Sequence, residues 1–199
     1  MRYEEYMKEV LEEYRKHGII GLEEFPDMEL YMDQAVLLLD RKLGVYKKGP
    51  KEPVVTKTMI GNYAKHRLIP RPVRKKYTKE HLLLLSLILH LKGILPMSEI
   101  ALLMKPLVDN YESDFEEKLN IDGLYDGLME IFQEKKDGLR AEVEADAARI
   151  KNLLMREEAA DDDTIELFML IAALTVKAGA EKYLAQKLLD EYFAEKKKA

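Results

Sequence analysis

Apolar residues recur at steps of three and four through Tyr3, Tyr6, Met7, Val10, Leu11 and Tyr14. That spacing predicts an amphipathic helix over residues 2–16, ending near Gly18, with Glu4, Glu5, Glu12, Glu13 and Arg15 on its solvent side. A second helix is predicted over 27–43, opened by Pro26-Asp27 and offering Leu30, Ala35, Leu37, Leu38 and Leu43 to a core. The stretch "GVYKKGPKEPVV" holds two Gly and two Pro and predicts a loop or extended segment. Thr56 has the chemistry of an N-cap for a short helix over 56–67. In "PRPVRKK", Pro70 and Pro72 bias the residues before them away from helix. Thr78, with Glu80 in the first turn, predicts a new helix to Lys92, stopped by Gly93. A short helix is expected from Pro96 to Lys105, closed by Pro106.

Beyond Val108 a single apolar stripe takes over. Leu124, Leu128, Ile131/Phe132, Leu139, Val143, Ile150 and Leu153/Leu154 keep helical spacing over some thirty residues, with Gly127 and Gly138 as weak points. Asp161-Asp162-Asp163-Thr164 predicts a helix start, because carboxylates favour the positive end of a helix. Ile165, Phe168, Ile171, Ala172, Thr175 and Val176 continue that helix on one side. A bend is expected at Ala178-Gly179-Ala180, before a last helix running into Lys196-Lys197-Lys198. No stretch predicts a strand longer than three residues. The fold class is therefore all-α. Three parts are expected: an N-terminal helix (1–19), a head (20–107), and a C-terminal helical bundle or hairpin (108–199).

Charge changes this picture from a generic helical protein to a specific one. Between Lys47 and Glu80 stand eleven Lys/Arg against two Glu, a local excess of nine positive charges in a chain of net charge −5. Everything outside that window therefore sums to −14. Such a separation of signs is the footprint of an anionic partner, whereas a mixed charge run is ordinarily a solvated surface. The cations coincide with the short capped helix and the Pro-stiffened segment after it. A short helix rich in Lys, Asn and Thr suits the recognition helix of a helix-turn-helix, presenting polar side chains to base edges. Lys57, Thr58, Asn62 and Lys65 are the candidates for groove contacts. Arg67, Arg71, Arg74, Lys75 and Lys76 are the candidates for phosphate contacts, with Tyr77 bracing the turn.

The segment "TKTMIGNYAKHRLIPRPVRKKYTKEHLLLLSLILHLKGILPMSEIALLM" resembles the DNA-binding core of MerR-type regulators. Ile60, Tyr63, Leu68, Ile69, Lys75, Tyr77, Thr78, Leu82, Glu99 and Ile100 match that pattern. Gly61 stands where those regulators carry a DNA-contacting Arg, and the segment between Leu68 and Tyr77 is shorter than their wing. The frame "FPDMELYMDQAVLLLDRKL", "TKTMIGNY" and "KKYTKEHL" is similar to an uncharacterised bacterial family, domain of unknown function 1836, over roughly residues 20–110. These resemblances imply a MerR-like winged helix-turn-helix head, a transcription regulator reading double-stranded DNA, and dimerisation through helices placed after the head. Leu128, Phe132, Leu139, Val143 and Ile150 are the candidate homodimer seam. The same stripe could instead be covered within one chain.

Other chemistry finds no pattern. His17, His66, His81 and His90 form no metal-ligand spacing, and with no cysteine there is neither a thiolate site nor a disulfide. The Asp161–Asp163 triplet lacks the spaced ligands of a calcium loop and reads as a cap. No phosphate-binding loop, dinucleotide fingerprint or nucleophile elbow occurs, so no enzyme and no cofactor are expected. Ten Met and eleven Tyr are compatible with a small-molecule effector pocket, with core packing as the ordinary alternative. The N-terminus is too acidic for a signal peptide, and the apolar run Leu82–Leu95 is broken by Ser86, His90 and Lys92. A cytoplasmic protein with no membrane span is expected. The alternative function is a helical interaction module whose basic face docks an acidic protein.

Overall fold

The computed structural model describes residues 3–16, 18–47, 49, 51–113, 119–156 and 163–193. It is mostly helical, as the periodicity predicts: α1 (Tyr3–Lys16), α2 (Met32–Lys42), α3 (Lys57–Lys65), α4 (Lys79–Leu91), α5 (Met97–Glu112), α6 (Ile121–Arg156) and α7 (Asp163–Tyr192). Two two-residue strands, β1 (Leu30–Tyr31) and β2 (Lys76–Tyr77), pair antiparallel with Leu30 opposite Tyr77 and Tyr31 opposite Lys76. The chain divides into two compact units, one of Met1–Lys16 with Gln133–Ala185, the other of His17–Phe132 with Gln186–Ala199. Helix α1, expected as a separate piece, falls in one unit with α6 from Gln133 onward and α7 through Ala185. The unit that contains the basic window runs past residue 107 through Phe132.

That second unit is built around α4. Every residue from His81 to Leu89 is buried, including four Leu in succession (Leu82–Leu85) with Leu87, Ile88 and Leu89. A helix apolar on all sides must be enclosed on all sides. Ile20, Phe25, Leu39, Leu43, Val55, Ile60, Ile100 and Met104 share its core, joined by Ile121, Tyr125 and Met129 of α6. Tyr125 is fully buried, and its hydroxyl donates to the Ile20 carbonyl at 2.9 Å and lies 3.0 Å from the Ser86 hydroxyl. Burial pushes its phenol up to about 12. Gly18 has φ +90°, and a Cβ there would lie 2.7 Å from a Val45 methyl, so only glycine fits this approach.

The other unit packs α1 against α6 and α7. Val143, Ile150, Leu154 and Leu170 are buried, with Tyr3, Met7, Leu11 and Leu139 against them. The Tyr3 hydroxyl donates to the buried Glu166 carboxylate, and Lys151 reaches the same carboxylate at 3.7 Å. Burial and that acid raise the Tyr3 phenol above its ordinary value. Of the candidate dimer seam, two residues are buried and three are half-buried in this chain. Val143 and Ile150 are buried here with Leu139 beside them, and Leu128 and Phe132 pack on the α4 core.

Three other expectations are corrected. The helix expected from Asp27 begins only at Met32, because Leu30 and Tyr31 are drawn into β1 and the Tyr31 amide is bonded by Gln34 at 2.9 Å. Pro106 does not end α5, which continues to Glu112. Its interior proline costs about 3 kcal/mol. Ile100, Met104 and Val108 are buried along one side spanning it, each contributing about 1.5–3 kcal/mol, and they outweigh that cost. The helix is not broken at Ala178-Gly179-Ala180 and no separate last helix begins there, since one glycine weakens a helix by only about 1 kcal/mol and α7 continues to Tyr192. Asp161, Asp162 and the terminal Lys196-Lys197-Lys198 lie outside the described residues.

Thr78 opens α4, and the third helical position, ordinarily Glu or Gln in such a box, is His81. The His81 Nδ1 accepts from the Thr78 amide at 3.2 Å, while Nε2 is buried without a hydrogen-bond partner. Tyr77 and Tyr111 present ring edges at 5.8 Å. Desolvation holds His81 below its ordinary 6.5, against the pull of Glu80 and the backbone of Arg71 and Pro70. Folded protein therefore binds fewer protons than unfolded chain below pH 6.5, so stability falls as the pH drops below that value. His81→Gln keeps the amide acceptor but cannot titrate. Urea melts above and below pH 6.5 are expected to show a smaller acid loss in His81→Gln than in the parent. An equal loss in both would assign the acid sensitivity elsewhere.

Candidate nucleic-acid interface

Thr56 caps α3 as predicted, its hydroxyl accepting from the Met59 amide at 3.2 Å. Ile60, Tyr63 and Ala64 turn inward, which sends Lys57, Thr58, Asn62 and Lys65 to the exposed side. All four candidate groove residues therefore share one face of a nine-residue helix. Gly61 lies between them with open space around its Cα, so its lack of a side chain leaves the backbone of that face accessible. The connection from α2 to α3, residues 43–56, is far longer than the three or four residues of a helix-turn-helix turn.

Helix α3 ends in a left-handed residue that is not glycine. Arg67 has φ 56°, the Leu68 amide returns to the Tyr63 carbonyl at 2.9 Å, and the Arg67 amide reaches Ala64 at 3.3 Å. This is a Schellman cap with arginine where glycine is usual. Leu68 and Ile69 then bury themselves, and the chain emerges at Arg71. Val73 to Lys76 forms a tight hairpin, the Lys76 amide donating to the Val73 carbonyl at 3.0 Å. Its central residues, Arg74 and Lys75, have φ 51° and 64°. A two-residue hairpin turn of this hand ordinarily uses Asn-Gly, because a Cβ in the left-handed region costs about 1–2 kcal/mol.

Among the described residues, all three non-glycine positions with positive φ are cations, and all three lie between α3 and β2. The sequence reading missed this, although "VRKK" without Gly, Asn or Asp at a forced reversal is its one visible sign. Left-handed backbone at residues with a Cβ costs about 1–2 kcal/mol each, so these three positions are held by their surroundings rather than by local preference.

The cations divide into two groups. Lys57 pairs with Asp33, Arg67 with Glu112 at 2.8 Å and Asp109 at 3.4 Å, and Lys76 with Glu29 at 3.0 Å. The Glu29 bond holds the Lys76 ammonium above its usual value. Lys65, Arg71, Arg74 and Lys75 are exposed and make no ion pair among the described residues. Tyr77 is buried, 1% exposed, so it anchors β2 to the core and is out of reach of any partner. No group of three metal-ligating side chains occurs among the described residues, and no described helix is long and apolar enough to cross a membrane.

Fold and site together define a mostly helical protein that presents a short capped helix and, a few residues on, a tight turn of unpaired cations. Residues 20–128 match the family described as Domain of unknown function (DUF1836), and the chain belongs to that family. No curated protein and no solved structure matches it.

The strain at the turn is testable by relieving it. Arg74→Asn with Lys75→Gly supplies the residues this turn prefers and should stabilise the fold by about 1–2 kcal/mol in urea unfolding. A neutral or destabilising outcome would mean that the two cations contribute folding energy of their own.

Proposed function

We propose that this protein binds duplex DNA and regulates transcription, using the exposed face of α3 for base contacts and the Arg71–Lys75 turn for phosphate. The observation that carries the reading is the hairpin turn, where Arg74 and Lys75 are held at strained φ, exposed and without carboxylate partners. A phosphate backbone is the partner that rewards such an arrangement, because each neutralised phosphate releases bound counterions. Thr58, Asn62 and Lys65 stand on one helix face at the spacing that base-edge contacts need, and Asn62 has the donor–acceptor pair to read adenine. The resemblance of residues 56–104 to the MerR-type core supports the same reading. The long α2–α3 connection and the short hairpin make the head a variant of that type rather than a copy. Lys57, Arg67 and Lys76 direct their charge to Asp33, Asp109, Glu112 and Glu29, which leaves phosphate contact to Arg71, Arg74 and Lys75 of the turn.

Fluorescence anisotropy on random and selected duplexes tests this. Binding should fall on a straight log–log line with salt. Changing Arg71, Arg74 and Lys75 together to Ala should flatten that slope by about 3 and weaken all duplexes alike. Unchanged DNA affinity in the triple variant refutes the reading. Displacement by an acidic polypeptide but not by bulk duplex would favour the acidic-protein partner instead.

Asn62→Ala separates the two kinds of contact. It should cost about 1–3 kcal/mol of discrimination at one base pair while leaving affinity for random duplex nearly intact. Selection from a random duplex pool, with parent and variant in parallel, checks it. A parent that selects no sequence refutes the regulator.

A further inference from the structure

One short acidic segment faces the basic window. Between Asp27 and Asp40 the sequence holds four acids, Asp27, Glu29, Asp33 and Asp40, and each pairs with a cation of residues 47–80. Two of these pairs tie the fold. Asp40 is half-buried and accepts from the Lys47 ammonium and the Val54 amide, both at 2.7 Å, which fastens the loop before α3. Asp27 reaches Lys79 at 3.6 Å, beside the Asp122 carboxylate at 3.2 Å, where α4 begins. The other two pairs lie in the open. The Asp33 and Lys57 side chains are 71% and 62% exposed, and Glu29 and Lys76, 3.0 Å apart, are 48% and 40% exposed. An exposed ion pair shifts a folding equilibrium by about fivefold at most. These two contribute little to holding the fold.

Their position gives them another use. Glu29 stands just before β1, whose partner β2 carries Lys76 and follows the Arg74–Lys75 turn. Asp33, in the first turn of α2, meets Lys57, the first residue of α3. One segment thus sets a carboxylate beside each of the two elements proposed to meet DNA. We propose that Glu29 and Asp33 restrain the affinity of this surface for polyanions, and thereby set how far a selected duplex is preferred over a random one. The inference deepens the DNA reading, and its second half rests on that reading. The restraint works by exchange. A lysine that leaves a carboxylate for a phosphate frees the counterions condensed on that phosphate, but the carboxylate left behind takes up a cation, so the gain nearly cancels. A phosphate approaching either pair also meets a like charge, which disfavours binding that nothing else supports. On a selected duplex, a base contact from Lys57 offsets the loss of Asp33. A random duplex offers no such contact.

Heparin, a polyanion without bases, separates this inference from the DNA reading. Glu29→Gln with Asp33→Asn should tighten binding to heparin and to random duplex by about 10-fold or more at 0.1 M salt, and steepen the salt slope on duplex by about 2. A selected duplex should gain about fivefold at most, the worth of an exposed pair. Urea unfolding of the double variant should match the parent within the same factor. Asp126→Asn with Glu130→Gln adds equal charge at exposed positions of α6 that carry neither pair, and should tighten heparin binding by less than about twofold. Lys57→Gln with Lys76→Gln should abolish the gain when added to the double variant, and should cost the parent far less. The proposal is overturned if heparin binding does not tighten, if the α6 control tightens it equally, or if the gain survives loss of both lysines. Equal gains on random and selected duplex overturn the specificity role. If heparin binding tightens while neither protein binds any duplex, the DNA reading falls and the restraint on polyanions stands.

Discussion

The enclosure of α4 is the constraint on which the larger unit depends. Thirteen residues with nine buried, four of them consecutive leucines, cannot sit at a surface, so every other element of that unit is recruited as a wall. At about 1.5–3 kcal/mol for each fully buried leucine, this one helix supplies more stabilisation than all the exposed ion pairs around it, whose typical worth is about 0–1 kcal/mol each. Even its polar residues are turned to structural use. Ser86 meets Tyr125, and the two ring nitrogens of His90 lie 2.7 Å from the Ser86 and Gly18 carbonyls.

That core is what permits strain at the site. A turn with arginine and lysine at its two left-handed positions would not hold its shape alone. Leu68 and Ile69 pin the chain before it, and Tyr77, paired with Leu30 in the sheet, pins it immediately after. Thr78 then starts α4 itself. The loop is short, both ends are buried, and the φ values follow from closure. The cost is carried by the buried segments on either side, and the result is two cations on a reversal pinned at both ends. Preorganised charge of this kind loses less entropy on meeting an anion than lysines on a flexible tail.

Much of this was legible in the sequence, and what was not has identifiable causes. Thr56 and Thr78 announced their helices because capping is a local interaction within three residues. The non-helical run through Pro70 and Pro72 was equally local. The continuation of α5 through Pro106 depended on Ile100, Met104 and Val108 finding a core, which no window of sequence contains. The expected bend at Gly179 failed for a matching reason, a weak propensity against a long helix. At the site, the face of α3 followed from periodicity. The neutralisation of Lys57, Arg67 and Lys76 did not, because their acids lie 24, 42 and 47 positions away or more. A count of cations therefore overstated what is free to meet a phosphate.

Charge and hydrophobicity end up on different units. The cations without ion pairs among the described residues belong to the unit that runs from His17 to Phe132, and the exposed Phe168 and Val176 of α7 to the unit that takes in residues 133–185. Each surface is costly to leave exposed for its own reason, strain and self-repulsion at the one and exposed hydrocarbon at the other. Neither cost is lowered by the other, since apolar side chains cannot neutralise a basic turn.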